Sequence, residues 1–360
     1  MRSGVIMAGG PGMRLWPLSR ASRPKQLLEV VGGRSLIALA YDRLAGVLDP
    51  TSIFVCTLDS HRDAVLAALP ELPPENVIGE PTGRDTALAN GLCAAVLGAV
   101  DPDAVLAVVT ADHVIKPIGA FQDALRCAFE LAESAPRLVT FGIVPTSAHT
   151  GLGYVERGAP IDGSAYDVAS FTEKPDAATA ATYLASGRYF WNSGMFVWQA
   201  STVLDQLRRH RPDLAGGLER IAAARAGPDR TRVQAAVYLE LPRISIDYAV
   251  LEPAARERAD AVAVVPLAVD WLDVGSWSAL ATTLPSDEHG NALGSLTVLV
   301  DSADNVIVTD DPQHLVAALG LRETIVVATK DVTMICPLAD AERVKALAAA
   351  TRLAHGERFT

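Results

Sequence analysis

The chain has 360 residues, half of them hydrophobic and 20% charged, which is the composition of a globular protein with a large core and not of a disordered chain. Its 31 Lys and Arg against 42 Asp and Glu give a net charge of −11, which argues against nucleic acid or an anionic membrane surface as the main partner. A few placed cations can still make a local site for a small anion, and at roughly 150 residues per domain the length suggests about two domains.

Ser3–Ala8 is a short apolar run that enters the Gly-rich stretch GGPGMR. Apolar residues at helical spacing (Leu36, Leu39, Ala40, Leu44, Leu48) predict a helix over 35–48. The compact run 52–57 reads as a strand, 62–69 and 86–100 as helices, 104–110 as a strand, 121–133 as a helix and 138–144 as a strand. Strands that are apolar throughout and alternate with helices imply a parallel sheet covered on both faces. In such sheets ligands bind beyond the carboxyl ends of the strands. Both the Gly-rich loop and Ala111-Asp112-His113 fall at such ends, so they are expected to face one pocket. Further on, 168–172 reads as strand, 177–186 as helix, 201–239 as several helices and 261–269 as strand. After Pro285 the composition shifts to short β-rich runs (295–300, 305–309, 324–328) and a terminal helix over 340–353. The expected division is therefore residues 1–285 and 286–360. No apolar run approaches the ~18 residues of a membrane span, and the N-terminus does not read as a signal peptide. The 4 cysteines (Cys56, Cys93, Cys127, Cys336) are scattered without a CxxC pair. They are expected to be small buried hydrophobes in a soluble, cytoplasmic protein.

Ala8-Gly9-Gly10-Pro11-Gly12-Met13-Arg14 leaves a strand with backbone N–H groups that can cradle phosphates. It is neither a GxGxxG fingerprint, since the third glycine would fall on Leu15, nor a GK[ST] loop. On glycines alone it is a turn as readily as a cradle. What sharpens it is the charge nearby: Arg14, then Lys25 in Arg23-Pro24-Lys25-Gln26.

The form GG-x-G-x-R-L-W-P-L-S…P-K-Q resembles the first signature of the sugar-phosphate nucleotidylyltransferases, most of all their mannose-1-phosphate guanylyltransferase branch. Collinear segments extend the resemblance over about residues 3–280: Glu80-Pro81-Thr82-Gly83-Arg84-Asp85-Thr86-Ala87, Thr110-Ala111-Asp112-His113, Gly151-Leu152-Gly153-Tyr154, Phe171-Thr172-Glu173-Lys174-Pro175, Trp191-Asn192-Ser193-Gly194-Met195-Phe196, Ile246-Asp247-Tyr248 and Trp271-Leu272-Asp273-Val274-Gly275-Ser276-Trp277. Met13 and Asp85 depart from the family's usual Thr, Ser or Glu and its usual Asn. The resemblance implies a Rossmann-like nucleotidyltransferase domain with a mostly parallel sheet, followed by a small β-rich domain. The implied reaction converts GTP and mannose 1-phosphate to GDP-mannose and pyrophosphate, with Mg²⁺ as cofactor and a homodimer as the assembly.

The implied roles follow the motifs. Arg14 and Lys25 neutralise phosphates as the catalytic pair. Ala8, Gly9, Gly10, Gly12, Glu80, Arg84, Asp85, Thr86 and Asp112 complete the nucleotide site. Gly153, Glu173, Lys174, Asn192 and Asp247 face the sugar phosphate, and Asp112 and Asp273 hold the metal, whose hard-oxygen preference suits carboxylates. From the residues alone, Glu173-Lys174-Pro175 is also a charged turn, Asp247 also a helix cap, and His113 either supports Asp112 or serves structure. The alternatives are another hexose-1-phosphate nucleotidylyltransferase, or a silent nucleotide-sugar-binding regulatory protein. The stretch after residue 286 lacks the clustered His and Glu of a cupin-type isomerase, so no phosphomannose isomerase activity is expected.

Overall fold

A computed structural model describes residues 1–10, 12–31, 33–161 and 163–360, without the side chains of Val30 and Val31. Pro11, inside the Gly-rich loop read above, lies outside the described residues.

Nine strands form the central sheet. Arg2–Met7 lies between Ile53–Leu58 and Val105–Thr110, parallel to both, with Val77–Glu80 outside Ile53–Leu58. On the other side the order continues with Tyr189–Gln199, Leu138–Ile143, Val262–Leu267, Tyr166–Thr172 and Tyr154–Pro160. Only Tyr189–Gln199 and Tyr166–Thr172 oppose the common direction, so the mostly parallel sheet is present with two antiparallel insertions. Tyr154–Pro160 also pairs with Tyr189–Trp191, closing the last five strands on one another.

The continuous apolar runs have a simple cause. Alternate residues of one strand enter different cores: Val5, Leu106 and Val108 pack on the side of helices Asp85–Gly98, Ala200–His210 and Pro212–Ala224. Ile6, Val105, Ala107 and Val109 pack on the side of helices Leu36–Ala45 and Ile118–Ser134. Local chemistry fixes the ends: the Ser35 hydroxyl accepts from Ala38 N, the Asp176 carboxylate from Thr179 N, and Gly187 (φ 62) closes helix Ala177–Ser186.

The C-terminal part is a coil of parallel strands. Ala292–Gly294, Val306–Thr309 and Thr324–Ala328 pair in parallel, and Leu296–Val300 pairs in parallel with Leu315–Leu319. Buried Asn291 and Asn305 stack at equivalent corners, the Asn305 amide donating to Asn291 Oδ1 at 2.8 Å. Leu315–Leu319 and the antiparallel strand Thr333–Pro337 are not among the predicted runs. This unit packs on the N-terminal part: Leu15, Trp16 and Leu18 share a core with Val274, Trp277, Ile325, Val344 and Ala348. Cys56 and Cys93 are buried as expected, whereas Cys127 and Cys336 are half-buried; all four are free thiols. Among the described residues no helix is long and apolar enough to cross a membrane.

Candidate active site

Asp112 and Asp273 meet because of a small ribbon that the sequence does not announce. The chain turns at Ala111-Asp112 into the strand His113–Lys116, which pairs antiparallel with Asp270–Asp273 in the register His113↔Asp273. Val274 N donates to Asp112 O at 3.0 Å and closes the end of the ribbon. Both runs, HVIK and DWLD, read polar-apolar-apolar-polar without alternation, and each is only four residues long.

Lys25 reaches this end from the loop after the Gly-rich stretch. Its Nζ lies 2.6 Å from Asp112 Oδ2 and 3.9 Å from Asp273 Oδ1, and donates to Val274 O at 3.4 Å. Burial would raise the Asp112 pKa, but the Lys25 ammonium and its hydrogen bond outweigh it and hold the carboxyl below its ordinary range. Asp273 Oδ1 is buried and has no hydrogen-bond partner among the described residues. Ligand atoms of Asp112, His113 and Asp273 all lie within 4.8 Å of one another.

The hydrogen bonds of His113 take it out of that set. The Trp271 indole, which can only donate, gives its N–H to His113 Nδ1 at 3.2 Å, and Thr110 Oγ1 lies 2.6 Å from the same nitrogen. Nδ1 is therefore an acceptor and the proton of the neutral ring sits on Nε2, 3.8 Å from Asp112 Oδ1. Burial also lowers the His113 pKa and favours that neutral form. A protonated nitrogen has no lone pair for a metal, so the donor set is the two carboxylates. This is hard-oxygen chemistry suited to a divalent cation, which the two carboxylates would hold.

The Gly-rich loop is built around the same lysine. Gly12 has φ 63, and a Cβ there would lie 2.5 Å from Lys25 Cγ. The Gln26 amide donates to Gly10 O at 2.9 Å, and the Ser19 hydroxyl donates to Gly12 O at 2.6 Å. Ala8 N donates to Cys56 O. Arg14 is exposed and pairs with Glu342 at 3.3 Å, so the C-terminal part touches this loop directly. The Trp16 indole donates to Phe359 O at 2.7 Å, and Trp277 donates to Trp16 O.

Glu80 ends its strand almost fully buried, with Oε2 3.2 Å from where a Cβ on Gly9 would stand and Oε1 unpartnered. Burial pushes its pKa up to about 7, opposed in part by the Tyr238 phenol. Arg84 donates to Leu239 O, and Asp85 adopts φ 67 at the start of its helix while its carboxylate accepts from Thr86 N. The Thr86 hydroxyl accepts from Ile246 N at 2.9 Å, tying this wall to the segment that carries Asp247.

The third group sits where the sheet closes. Gly194 (φ 67) interrupts the pairing of Tyr189–Gln199 with Leu138–Ile143 between Asn192 and Phe196, a bulge at the candidate site. The Thr140 hydroxyl donates to Asn192 Oδ1 at 3.0 Å, which fixes the amide so that Nδ2 donates to Asp247 Oδ1 at 2.8 Å. A Cβ on Gly153 would lie 2.4 Å from Glu173 Oε2, so a side chain there displaces that carboxylate. Lys174 stands at φ 49 and pairs with Glu173, and the hydrogen bond it donates to that carboxylate raises its pKa against the effect of burial. Glu252 accepts from Glu173 N at 3.2 Å and braces this turn. Burial, with Glu173 nearby, raises Asp247 to about 6. The predicted site residues thus fall into three groups, around Lys25, around Glu80 and around Asn192. Thr140 and Glu252, which brace this group, escape sequence reading, since nothing in their sequence surroundings marks them.

The nucleotidyl transferase family matches residues 3–289, and the MannoseP isomerase/GMP-like beta-helix domain matches residues 295–349. The mannose-1-phosphate guanylyltransferase of Klebsiella pneumoniae is 42% identical over 337 residues, 92% of this chain and 70% of that protein. The xanthan biosynthesis protein XanB of Xanthomonas campestris pv. campestris strain B100 is 40% identical over 334 residues, 92% and 69% of the two chains. A crystal structure described as mannose-1-phosphate geranyltransferase from Thermus thermophilus superposes with a TM-score of 0.85 at 33% identity, covering 98% of this chain and 99% of that one. The aspartate pair, the loop that carries Lys25 and the coil behind it thus lie within a likeness that runs along nearly the whole chain, and the chain belongs to the nucleotidyl transferase family.

Proposed function

We propose that this protein transfers the GMP unit of GTP to mannose 1-phosphate, giving GDP-mannose and pyrophosphate, in the cytoplasm and with Mg²⁺ as the cation. The observation that carries the reading is the Lys25 ammonium held between the Asp112 and Asp273 carboxylates. The names of the relatives supply the guanine and mannose. We take residues 1–285 as the nucleotidyltransferase domain and 286–360 as the C-terminal domain.

A phosphate oxygen of the sugar phosphate attacks the α-phosphorus of GTP, and pyrophosphate leaves from the opposite side. Both reactants are anions, so positioning and charge neutralisation carry the catalysis, with no covalent intermediate. Mg²⁺ held by Asp112 and Asp273 would supply Lewis-acid charge at the phosphate oxygens. Lys25 and Arg14 meet the phosphates, each exchanging its present carboxylate partner, Asp112 or Glu342, for phosphate oxygens. Backbone N–H groups around Gly9, Gly10 and Gly12 line the cradle. The amide of Asn192 and the carboxylates of Glu173 and Asp247 bond sugar hydroxyls, and a buried site built this way rejects sugars that lack them.

Lys174 is exposed enough to reach a phosphate while its turn stays braced by Glu252. Lys174→Ala is expected to raise the KM for mannose 1-phosphate about ten- to a hundred-fold, with the KM for GTP unchanged. An unchanged sugar-phosphate KM would move that role to another residue.

Glu80 is the candidate reader of guanine, whose N1–H and amino group both donate to a carboxylate. Glu80→Gln is expected to raise the KM for GTP about tenfold. It should also change the pH dependence of stability in a fixed direction. The folded pKa of Glu80, about 7, lies above the ordinary value of 4.5. The folded state therefore binds the extra proton, and stability present below pH 4.5 is lost as pH rises to about 7, by roughly 3 kcal/mol. The glutamine variant should melt above the wild type at pH 8 and approach it at pH 4.5. A constant offset between the two across that window would rule out the buried-carboxylate assignment.

The test of the reading as a whole is pyrophosphate release with mannose 1-phosphate and Mg²⁺, comparing GTP, ATP, UTP and dTTP. Release with GTP alone is the expected result. Release with another nucleotide would keep the chemistry and move the specificity.

A further inference from the structure

Arg43, on helix Leu36–Ala45, is the most deeply buried arginine among the described residues, only 2% exposed. Among the described residues no carboxylate is hydrogen-bonded to it. Its Nη1 donates to His113 O at 2.5 Å and its Nη2 to Thr110 O at 3.3 Å, while Nε has no partner. Burial lowers its pKa to about 10, so the guanidinium remains charged at neutral pH. The guanidinium also lies over the Phe121 ring, 5.7 Å from its centroid, and Asp112 and Asp42 attract it without a hydrogen bond; a cation buried on carbonyls and a ring face is costly to keep, and a structural filler would not need to be one.

The two carbonyls it grips have a clear relation to the site. Thr110 is the last residue of its strand and His113 the first of the next, so the fork spans the two residues between them, Ala111 and Asp112. On the opposite side Val274 N donates to Asp112 O at 3.0 Å, and Val274 follows Asp273 directly. The turn is thus clamped between Arg43 and the segment that supplies the second aspartate. One planar fork that fixes the first and last carbonyls of a four-residue turn also fixes the direction of the Asp112 side chain.

We propose that Arg43 is a positioning residue that aims the Asp112 carboxylate at the site it shares with Asp273. The proposal rests on the reading that Asp112 and Asp273 hold the divalent cation. Two variants separate the geometry from the charge. Arg43→Lys keeps the cation but replaces the fork by a single point, and Arg43→Gln keeps two N–H donors without the charge.

The measurement is Mn²⁺ affinity of the full chain in the presence of GTP, read by electron paramagnetic resonance of free Mn²⁺, beside kcat and the Mg²⁺ concentration for half-maximal rate. Arg43→Lys is expected to weaken Mn²⁺ binding and raise the half-maximal Mg²⁺ concentration about ten- to a hundred-fold, the range for groups that orient a metal ligand. The KM for mannose 1-phosphate should not move. In an Asp112→Ala background the same substitution should have no further effect on Mn²⁺ affinity, since Arg43 acts through Asp112. Wild-type Mn²⁺ affinity in folded Arg43→Lys and Arg43→Gln, or a full additional loss in the Asp112→Ala background, would overturn the proposal. If instead Asp112→Ala alone leaves Mn²⁺ affinity intact, the metal reading fails, whatever Arg43 does.

Discussion

Asp273→Ala is expected to lower turnover roughly 10³-fold while leaving the melting temperature almost unchanged, and Asp112→Ala to be at least as damaging to the rate. The stability contrast follows from the partners. Asp273 Oδ1 has no hydrogen bond among the described residues and lies 3.9 Å from the Lys25 ammonium, so removing it breaks no strong native interaction. It even relieves a buried, unsatisfied acceptor. Asp112 is different: its carboxylate is 2.6 Å from Lys25 Nζ with both side chains largely buried, and its loss strands the ammonium. A cost of about 1–3 kcal/mol is expected there, visible as a lower melting temperature. A rate measurement on purified variants with known melting temperatures therefore separates chemistry from folding. Near-normal turnover in Asp273→Ala would remove the aspartate pair from the mechanism. Loss of activity together with wild-type stability is the signature of a residue kept for its chemistry.

Much of this arrangement is legible in the sequence, for physical reasons that also explain the gaps. Strands buried on both faces write continuous apolar runs, so Ser3–Ala8 and 104–110 declare themselves, and helices with a helical apolar period do the same. The site edge follows from a rule about parallel sheets. The ribbon between His113–Lys116 and Asp270–Asp273 does not, because four-residue strands carry too little alternation, and their pairing spans more than 150 positions of chain. Tyr189–Gln199 reads as a motif and not as a strand, its polar centre at Asn192 and Ser193 interrupting the apolar signal. Arg43 is invisible for a different reason. An arginine inside an amphipathic helix reads as surface, and only the fold shows that its head group reaches two carbonyls of a distant turn. The support of the first signature by the C-terminal part is likewise beyond sequence reading, since Trp16 and Phe359 meet across almost the whole chain.

The glycines of the first loop give the second large expected effect, and a contrast within one motif. Gly12→Ala combines two costs. At φ 63 a side chain stands in the left-handed region, which costs roughly 1–2 kcal/mol. The new Cβ would also lie 2.5 Å from Lys25 Cγ and 2.6 Å from its Cβ, so the lysine stem must give way. Because that stem carries the ammonium to Asp112 and Asp273, a displacement of about an ångström removes charge from where the phosphates must be neutralised, with a loss in kcat of about 10²-fold. Gly10→Ala meets no such obstacle: the nearest atom to its Cβ is Gln26 Nε2 at 3.7 Å, an ordinary contact. The Gly10 variant should therefore fold and melt like the wild type. Any rise in its KM for GTP then reports on the nucleotide, whose phosphates would approach the backbone where the methyl group stands. Loss of GTP affinity in Gly10→Ala together with loss of kcat in Gly12→Ala would assign the first glycine to close approach by phosphate and the second to the lysine. If Gly10→Ala binds GTP normally, the cradle does not lie at Gly10, and the loop's contribution rests on holding Lys25 alone.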